Sequence, residues 1–209
     1  MNVYDFDNTI YDGESTVDFF LFCLKKKKSL IRYLPLVFYT AILYKLRILS
    51  IDKLLNSASK MTSAFVNSNE DFDKIAKEFW DLHQKKLKPS FLNKLNSADV
   101  ITTASPRFLI EAILPILKIE NAICSEFDTK TGQLEFANFR ENKLIAFKKK
   151  YPNERIVNFY TDSLNDSPLI EFAENAFLVK GNNEPKLIKK NKETKRWKKK
   201  FMNILKGII

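Results

Sequence analysis

The chain has 209 residues, 45% of them hydrophobic, with only four glycines and seven prolines. That suits one domain of ordinary size carrying an insertion, and it excludes a disordered or fibrous chain. Two distant cysteines, Cys23 and Cys124, and a single histidine, His83, give no basis for a disulfide scaffold, a Cys- or His-built metal cage or a Ser-His-Asp triad; the cysteines read as reduced, buried thiols and His83 as a surface residue. The net charge of +10 is uneven: residues 186–209 hold ten Lys or Arg against Glu193 alone. A second basic island runs from Phe19 to Ile51, with Lys25, Lys26, Lys27, Lys28, Arg32, Lys45 and Arg47 and no acid. Both islands suit an anionic surface.

In chain order, Val3 to Phe6 reads as a short strand ending in acids. The start, Met1-Asn2-Val3-Tyr4-Asp5, lacks the basic region and cleavage site of a secretory signal. Thr16 to Leu24 and Leu30 to Leu49 read as helices, apolar around most of their circumference. The most apolar run, Leu34 to Tyr44, is eleven residues, whereas a spanning helix needs about 20. Ile51 to Phe65 is a further helix, and Asn69 to Leu87 another, with Phe72, Ile75, Ala76, Phe79 and Leu82 on one face. Asp99 to Thr103 is a second strand. A helix from Pro106 to Leu117 follows, with proline in its first turn. Ala122 to Ser125 and Leu134 to Phe136 are strands, Glu141 to Tyr151 a helix and Arg155 to Phe159 a strand. Ser167 to Glu174 is a short helix and Ala176 to Val179 a last strand.

Strands alternating with helices from residue 99 onward imply a parallel sheet. The expected fold is α/β: a doubly wound, Rossmann-like core formed by residues 1–14 and 85–209, with residues 15–84 inserted after the first strand as a helical cap. Ligands of such sheets bind beyond the carboxyl ends of the strands. Three strands deliver polar residues there: Asp5-Phe6-Asp7-Asn8-Thr9, Thr103-Ala104-Ser105-Pro106-Arg107 and Thr161-Asp162-Ser163-Leu164-Asn165-Asp166. Lys143 opens the helix before the third. Four carboxylates meeting at one point need a cation, and an oxygen-only site with room for water fits Mg2+. Asp5 and Asp7 point the same way from an extended segment, so one can attack while the other handles a proton. Ser105 and Lys143 supply donors to phosphoryl oxygens.

These segments resemble the four motifs of the haloacid dehalogenase (HAD) superfamily, in order and over nearly the whole chain. Asp5 to Thr9 is similar to the DxDxT signature, Ser105 to the hydroxyl of the second motif, Lys143 to the lysine of the third, and Asp162 with Asp166 to the acidic pair of the fourth. The resemblance implies Asp5 as nucleophile and metal ligand. It implies Asp7 as general acid, with its main-chain carbonyl on the metal, and Thr9 as the residue orienting the loop. Ser105 would bind the phosphoryl group, Lys143 would stabilise the nucleophile and the phosphate charge, Asp162 would ligate Mg2+, and Asp166 would support the metal shell. An insertion after the first motif resembles the phosphoserine-phosphatase-like branch, with Glu14 where that branch carries a carboxylate near the substrate.

The second and fourth motifs lack the glycines expected of serine phosphatases and look more like the phosphatidylglycerophosphatase C type. That likeness implies a lipid phosphomonoester as substrate; the alternative is a small soluble monoester such as phosphoserine or a sugar phosphate. Arg107 is a candidate for substrate phosphate or headgroup. For the insertion, two readings stand: a buried bundle with lysines at its rim, or an apolar, basic surface resting on anionic lipid. The basic tail carries the same pair of readings, as a solvated helix or a membrane contact. The expected location is the cytoplasm, peripheral to the inner face of the membrane. No aromatic-interleaved basic groove is evident, so nucleic acid is not an expected partner.

Overall fold

Short runs rich in valine, isoleucine, threonine and aromatic residues suit a pleated, buried surface, and in the computed structural model they pair side by side. The structure describes residues 1–26, 28–33, 35, 36, 39, 42, 43, 60, 63, 71–128 and 130–190. Seven strands form one sheet: β1 (Asn2–Tyr4), β2 (Val100–Pro106), β3 (Asn121–Phe127), β4 (Leu134–Phe136), β5 (Asn158–Thr161), β6 (Asn175–Leu178) and β7 (Lys186–Lys189). Their order is β4-β3-β2-β1-β5-β6-β7. The five inner strands are parallel; β4 and β7 close the edges antiparallel. Register is set at the centre, where Val3 of β1 sits between Val100 of β2 and Phe159 of β5. The strand order reverses between β1 and β5, and such a switch point opens a crevice at the carboxyl edge. Asp5 and Asp162 follow directly on these two strands.

The period-two alternation of the strands divides the core in two. Val3, Val100, Ile123 and Phe159 face one side and pack with Phe147, Leu169 and Ala173. These come from α6 (Glu141–Lys150), α7 (Ser167–Phe172) and the residue after it. Tyr4, Ile101, Ala122 and Cys124 face the other side. There they meet α1 (Ser15–Lys26), α2 (Phe72–His83), α3 (Pro89–Leu92), α4 (Arg107–Glu111) and α5 (Leu114–Leu117). Tyr4 stacks on Tyr160 and Tyr160 on Phe177, each pair with centroids 4.8 Å apart, and Phe91 of α3 meets both tyrosines edge-on. Phe19 and Phe22 of α1 pack on Phe79 of α2, and the Trp80 indole donates to the Leu109 carbonyl at 2.6 Å. Helices α1 and α2 thus share the core of the sheet.

Residues 10–12 and 86–88 pair on either side of that insertion. Lys88 N donates to Ile10 O and Asp12 N to Lys86 O, both at 2.8 Å, and Tyr11 bridges Leu87. The predicted helices at 30–49 and 51–65 lie largely outside the described residues, which show a 3-10 turn at Lys28–Tyr33. Among the described residues, no helix is long and apolar enough to cross a membrane. Both cysteines are buried, as expected.

Several expectations are corrected. The helix expected at 106–117 is two short pieces. Pro106 is the N-cap of α4; Pro115 has no N–H to continue the helix, and Lys118 ends the second piece in a left-handed conformation. The buried face of α2 carries Ile75, Ala76, Phe79 and Trp80, whereas Leu82 is 57% exposed. The third parallel strand starts at Asn158 rather than Arg155. The basic tail does not begin at 186: Lys186 to Lys189 pair with β6 as an edge strand, whose lysines suit an unpaired outer edge. Residues 191–209 lie outside the described residues.

Candidate active site

β1 ends where the Asp5 amide donates to the Tyr160 carbonyl at 2.8 Å. The chain then curls, with the amides of Thr9, Ile10 and Tyr11 all donating to the Phe6 carbonyl. Asn8 holds φ of 56°, a left-handed conformation that asparagine tolerates better than most residues. This tight loop places Asp5 and Asp7 at the crevice, Asp5 7% exposed and Thr9 fully buried. Among the described residues, the Thr9 hydroxyl has no hydrogen-bond partner.

Lys143, from the first turn of α6, is the hub. Its ammonium donates to Asp5 Oδ1 at 2.8 Å and to Asp166 Oδ2 at 3.0 Å, with all three side chains at most a tenth exposed. The Thr161 hydroxyl also donates to Asp166 Oδ2, at 2.9 Å. Asp162 completes the group, close enough to Asp5 for the two carboxyls to interact. Burial pushes Asp5 well above the usual carboxylate range; Lys143 opposes this, while Asp166 and Asp162 add to it. Burial likewise raises Asp162. Two carboxyl groups on one ammonium, with Asp162 beside Asp5, leave surplus negative charge in a low-dielectric site, where like charges repel strongly.

Asp7 faces another set of partners. Its Oδ1 accepts from the Ser15 amide at 2.7 Å, and its Oδ2 accepts from the Ser105 hydroxyl at 2.8 Å and the Thr103 hydroxyl at 3.4 Å. Ser105 Oγ also meets Ser15 Oγ at 2.9 Å and Thr16 Oγ1 at 2.8 Å. Burial raises the Asp7 carboxyl, and the donors from Ser15 and Ser105 oppose it. Glu14 is exposed at the mouth, where Asn8 Nδ2 donates to it at 2.7 Å. Partial burial of its carboxyl, with the charges of Asp7 and Asp162, pushes Glu14 up to about 7.

The predicted residues therefore divide. Asp5, Asp162, Asp166 and Lys143 come together, and Asp7 and Ser105 form a second cluster beside them. Convergence of all four carboxylates on one point is not what the structure has: Asp7 is turned to hydroxyls, and Asp166 to Lys143 and Thr161. Among the described residues, no three Asp, Glu, His or Cys side chains form a ready cage for a metal. Magnesium does not need one, because it commonly binds through one or two carboxylates and keeps several waters. The adjacent Asp5 and Asp162 carboxyls, with their surplus charge, fit that mode.

Arg107 stands apart from both clusters. Its guanidinium is taken up by Glu126, with Nε 2.7 and 2.8 Å from the two carboxylate oxygens, and by Glu111 at 3.0 Å. It braces α4 against β3 rather than joining the acid cluster. Sequence reasoning missed Ser15, Thr16 and Lys88, and it placed Thr103 and Thr161 at strand ends without giving them a role. For Ser15 and Thr16 there was a signal, a serine–threonine pair opening an apolar helix; for Lys88 there was none.

The family is settled by comparison with known sequences. The family model for haloacid dehalogenase-like hydrolases matches residues 3–171, and the chain belongs to that family. Solved structures share the fold. One is a protein of unknown function from Bordetella pertussis Tohama I, 18% identical at a TM-score of 0.62, over 85% of this chain and 88% of that one. A phosphoserine phosphohydrolase-like protein from Francisella tularensis subsp. tularensis SCHU S4 is 19% identical at 0.55, over 85% and 87%. A probable phosphoserine phosphatase from Vibrio cholerae is 14% identical at 0.53, over 84% of this chain and 55% of that one. No curated protein matches the sequence.

Proposed function

We propose that this hydrolase is a Mg2+-dependent phosphomonoesterase that works through an aspartyl-phosphate on Asp5. The observation that carries the reading is the pair of clusters at the sheet switch point: a buried carboxylate held by Lys143 at 2.8 Å, beside a second carboxylate, Asp7, held by Ser105. An Asp5 oxygen attacks phosphorus and the ester P–O bond breaks. Asp7 gives its proton to the departing alkoxide, so the first product leaves as an alcohol. Asp7, now ionised, takes a proton from water as the water oxygen attacks phosphorus. The acyl-phosphate P–O bond then breaks, releasing phosphate and restoring Asp5. Splitting one displacement into two is the gain from covalent catalysis.

Lys143 orients Asp5, and its charge suits the phosphoryl oxygens. Asp5 and Asp162, with the main-chain carbonyl of Asp7, would hold the metal, and Asp166 would steady Lys143. A bound Mg2+ supplies charge neutralisation to the phosphoryl oxygens. Burial keeps Asp7 toward its protonated form, which a general acid requires.

The substrate class we favour is a lipid phosphomonoester, supported by the acid-free basic stretch from Phe19 to Ile51, which suits peripheral contact with an anionic bilayer. A small soluble monoester carrying an ammonium group is the second reading, favoured by Glu14 at the mouth of the cleft beside Asp7. The test is turnover with Mg2+ of an aryl phosphate, phosphatidylglycerophosphate, lysophosphatidate, phosphoserine and a sugar phosphate, with co-sedimentation on neutral and anionic vesicles. No release of phosphate from any of them overturns the phosphatase reading. Equal binding to both vesicle types, or none, overturns the lipid reading alone.

A further inference from the structure

Outside these clusters, a buried lysine has no role in the chemistry described. Lys88 follows the insertion directly and is only 3% exposed. Full burial of a lysine is rare without an ionic partner, and among the described residues no carboxylate lies within ion-pair distance of its ammonium. Its Nζ donates instead to two main-chain carbonyls, those of Asn8 and of Gly181 at 2.8 Å. Asn8 lies next to Asp7, in the tight loop that carries both candidate catalytic acids. Gly181 stands beyond the end of β6, in the turn after Val179, and holds φ of 56°. The Lys88 main chain is itself fixed on the first loop, its amide on the Ile10 carbonyl. Burial lowers the affinity of the ammonium for its proton, and the fields of Asp12 and Asp162 oppose that.

We propose that Lys88 is a positioning residue that pins the loop carrying Asp7 to the loop after β6, holding the general acid in register with Asp5. The inference rests on the functional reading above only for its kinetic part. Two carbonyls from different loops converge on one donor group, so removing it leaves both facing each other with no hydrogen between them. A lysine suits the role because one ammonium offers three donors on a flexible stem. A neutral side chain would also forgo the field of the surrounding acids.

The experiment uses the full chain and three variants: Lys88→Met, Lys88→Gln and, as a control, Leu87→Ala. Leu87 is 5% exposed and its loss weakens the same segment without touching the ammonium. The first readout is hydrogen exchange of residues 8–13 and 179–183, with α6 as internal reference. Lys88→Met raises exchange in both loops together and leaves α6 unchanged. The second readout is aryl phosphate hydrolysis at saturating Mg2+. Misplacing a catalytic group by about 1 Å costs on the order of 100-fold, so Lys88→Met loses about 30- to 100-fold in kcat. KM stays within about threefold, the pattern of an interaction made in the transition state.

Unchanged exchange in both loops overturns the pin, whether or not the parent enzyme turns over this substrate. So does a kcat within about threefold of an active parent, or an equal kcat loss in Leu87→Ala at the same folded fraction. If the parent is inactive, the phosphatase reading fails and the exchange result alone decides the pin. Lys88→Gln, which keeps two donors without the charge, brings both readouts back toward the parent; should Lys88→Met not fold, Lys88→Ala, which also offers no donor, is judged by the same criteria.

Discussion

Replacing Asp5 by asparagine separates the catalytic and structural consequences of the same carboxylate. Asp5 is 7% exposed, shares one lysine with Asp166 and feels the charge of Asp162. Burial pushes its carboxyl well above the usual range even after Lys143 has acted. A raised native pKa means that the folded state holds the proton more tightly than the unfolded one. Between the ordinary carboxylate value, about 3.9, and the native one, stability falls as pH rises. Above the native value, ionised Asp5 costs the metal-free fold about 1.4 kcal/mol for each pH unit of displacement. Asparagine keeps an oxygen for Lys143 and removes one negative charge. Asp5→Asn therefore raises the melting temperature, by about 2–4 °C for each kcal/mol of charge cost relieved in a chain of this size.

The assay is thermal unfolding by circular dichroism with EDTA at pH 7.5, repeated at pH 4, where the gain shrinks as the parent takes up its proton. The same variant loses hydrolysis of an aryl phosphate by about 10⁴-fold or more, because the carboxamide is a far weaker nucleophile. A variant less stable than the parent at pH 7.5, or a gain that persists undiminished at pH 4, would refute the charge argument. Full activity would refute the nucleophile.

Further outcomes follow from the same geometry. Mg2+ at 100 times its dissociation constant stabilises the parent by about 2.7 kcal/mol, or about 5–10 °C; Asp162→Asn abolishes most of that shift in differential scanning fluorimetry. Lys143→Met leaves Asp5 and Asp166 buried without a counter-charge and costs about 3–5 kcal/mol in urea unfolding; a loss below about 1 kcal/mol would show the lysine to be dispensable for folding. Ser105→Ala removes a donor to Asp7 and lowers kcat by about 10²-fold, read in the same aryl phosphate assay. Arg107→Ala loses only its links to Glu126 and Glu111, about 1 kcal/mol of stability, with kcat/KM unchanged; a large rise in KM would restore Arg107 to the substrate site.

Much of this protein is legible from residue order alone. The alternation of Val3 with Tyr4 and of Phe159 with Tyr160 places each strand between two packed faces, because side chains in a strand point alternately to opposite sides. The strands can therefore be found from local pattern, with ends two or three residues from the observed ones, and with them the stretches that carry Asp5, Asp7, Ser105 and Asp162. Helix starts are local as well, so Lys143 is placed by its distance from the opening of α6. What depends on sequence neighbours within a few residues is written in the sequence.

The tertiary structure decided what depends on partners far along the chain. Arg107 is close to Ser105 in sequence, yet Glu126, on the next strand, takes its guanidinium, because a planar fork pairs best with a carboxylate already aligned to receive it. Lys186 to Lys189 read as the start of a charged tail until β6 supplied an edge to pair with. Lys88 carries no motif, and only the approach of Asn8 and Gly181, from loops 80 and 93 residues away, makes it a buried cation. The division of the acids into one cluster on Lys143 and another on Ser105 is of the same kind: carboxylates crowded in a low-dielectric crevice part toward whichever donors the fold brings within reach, and that is settled by packing rather than by spacing along the chain.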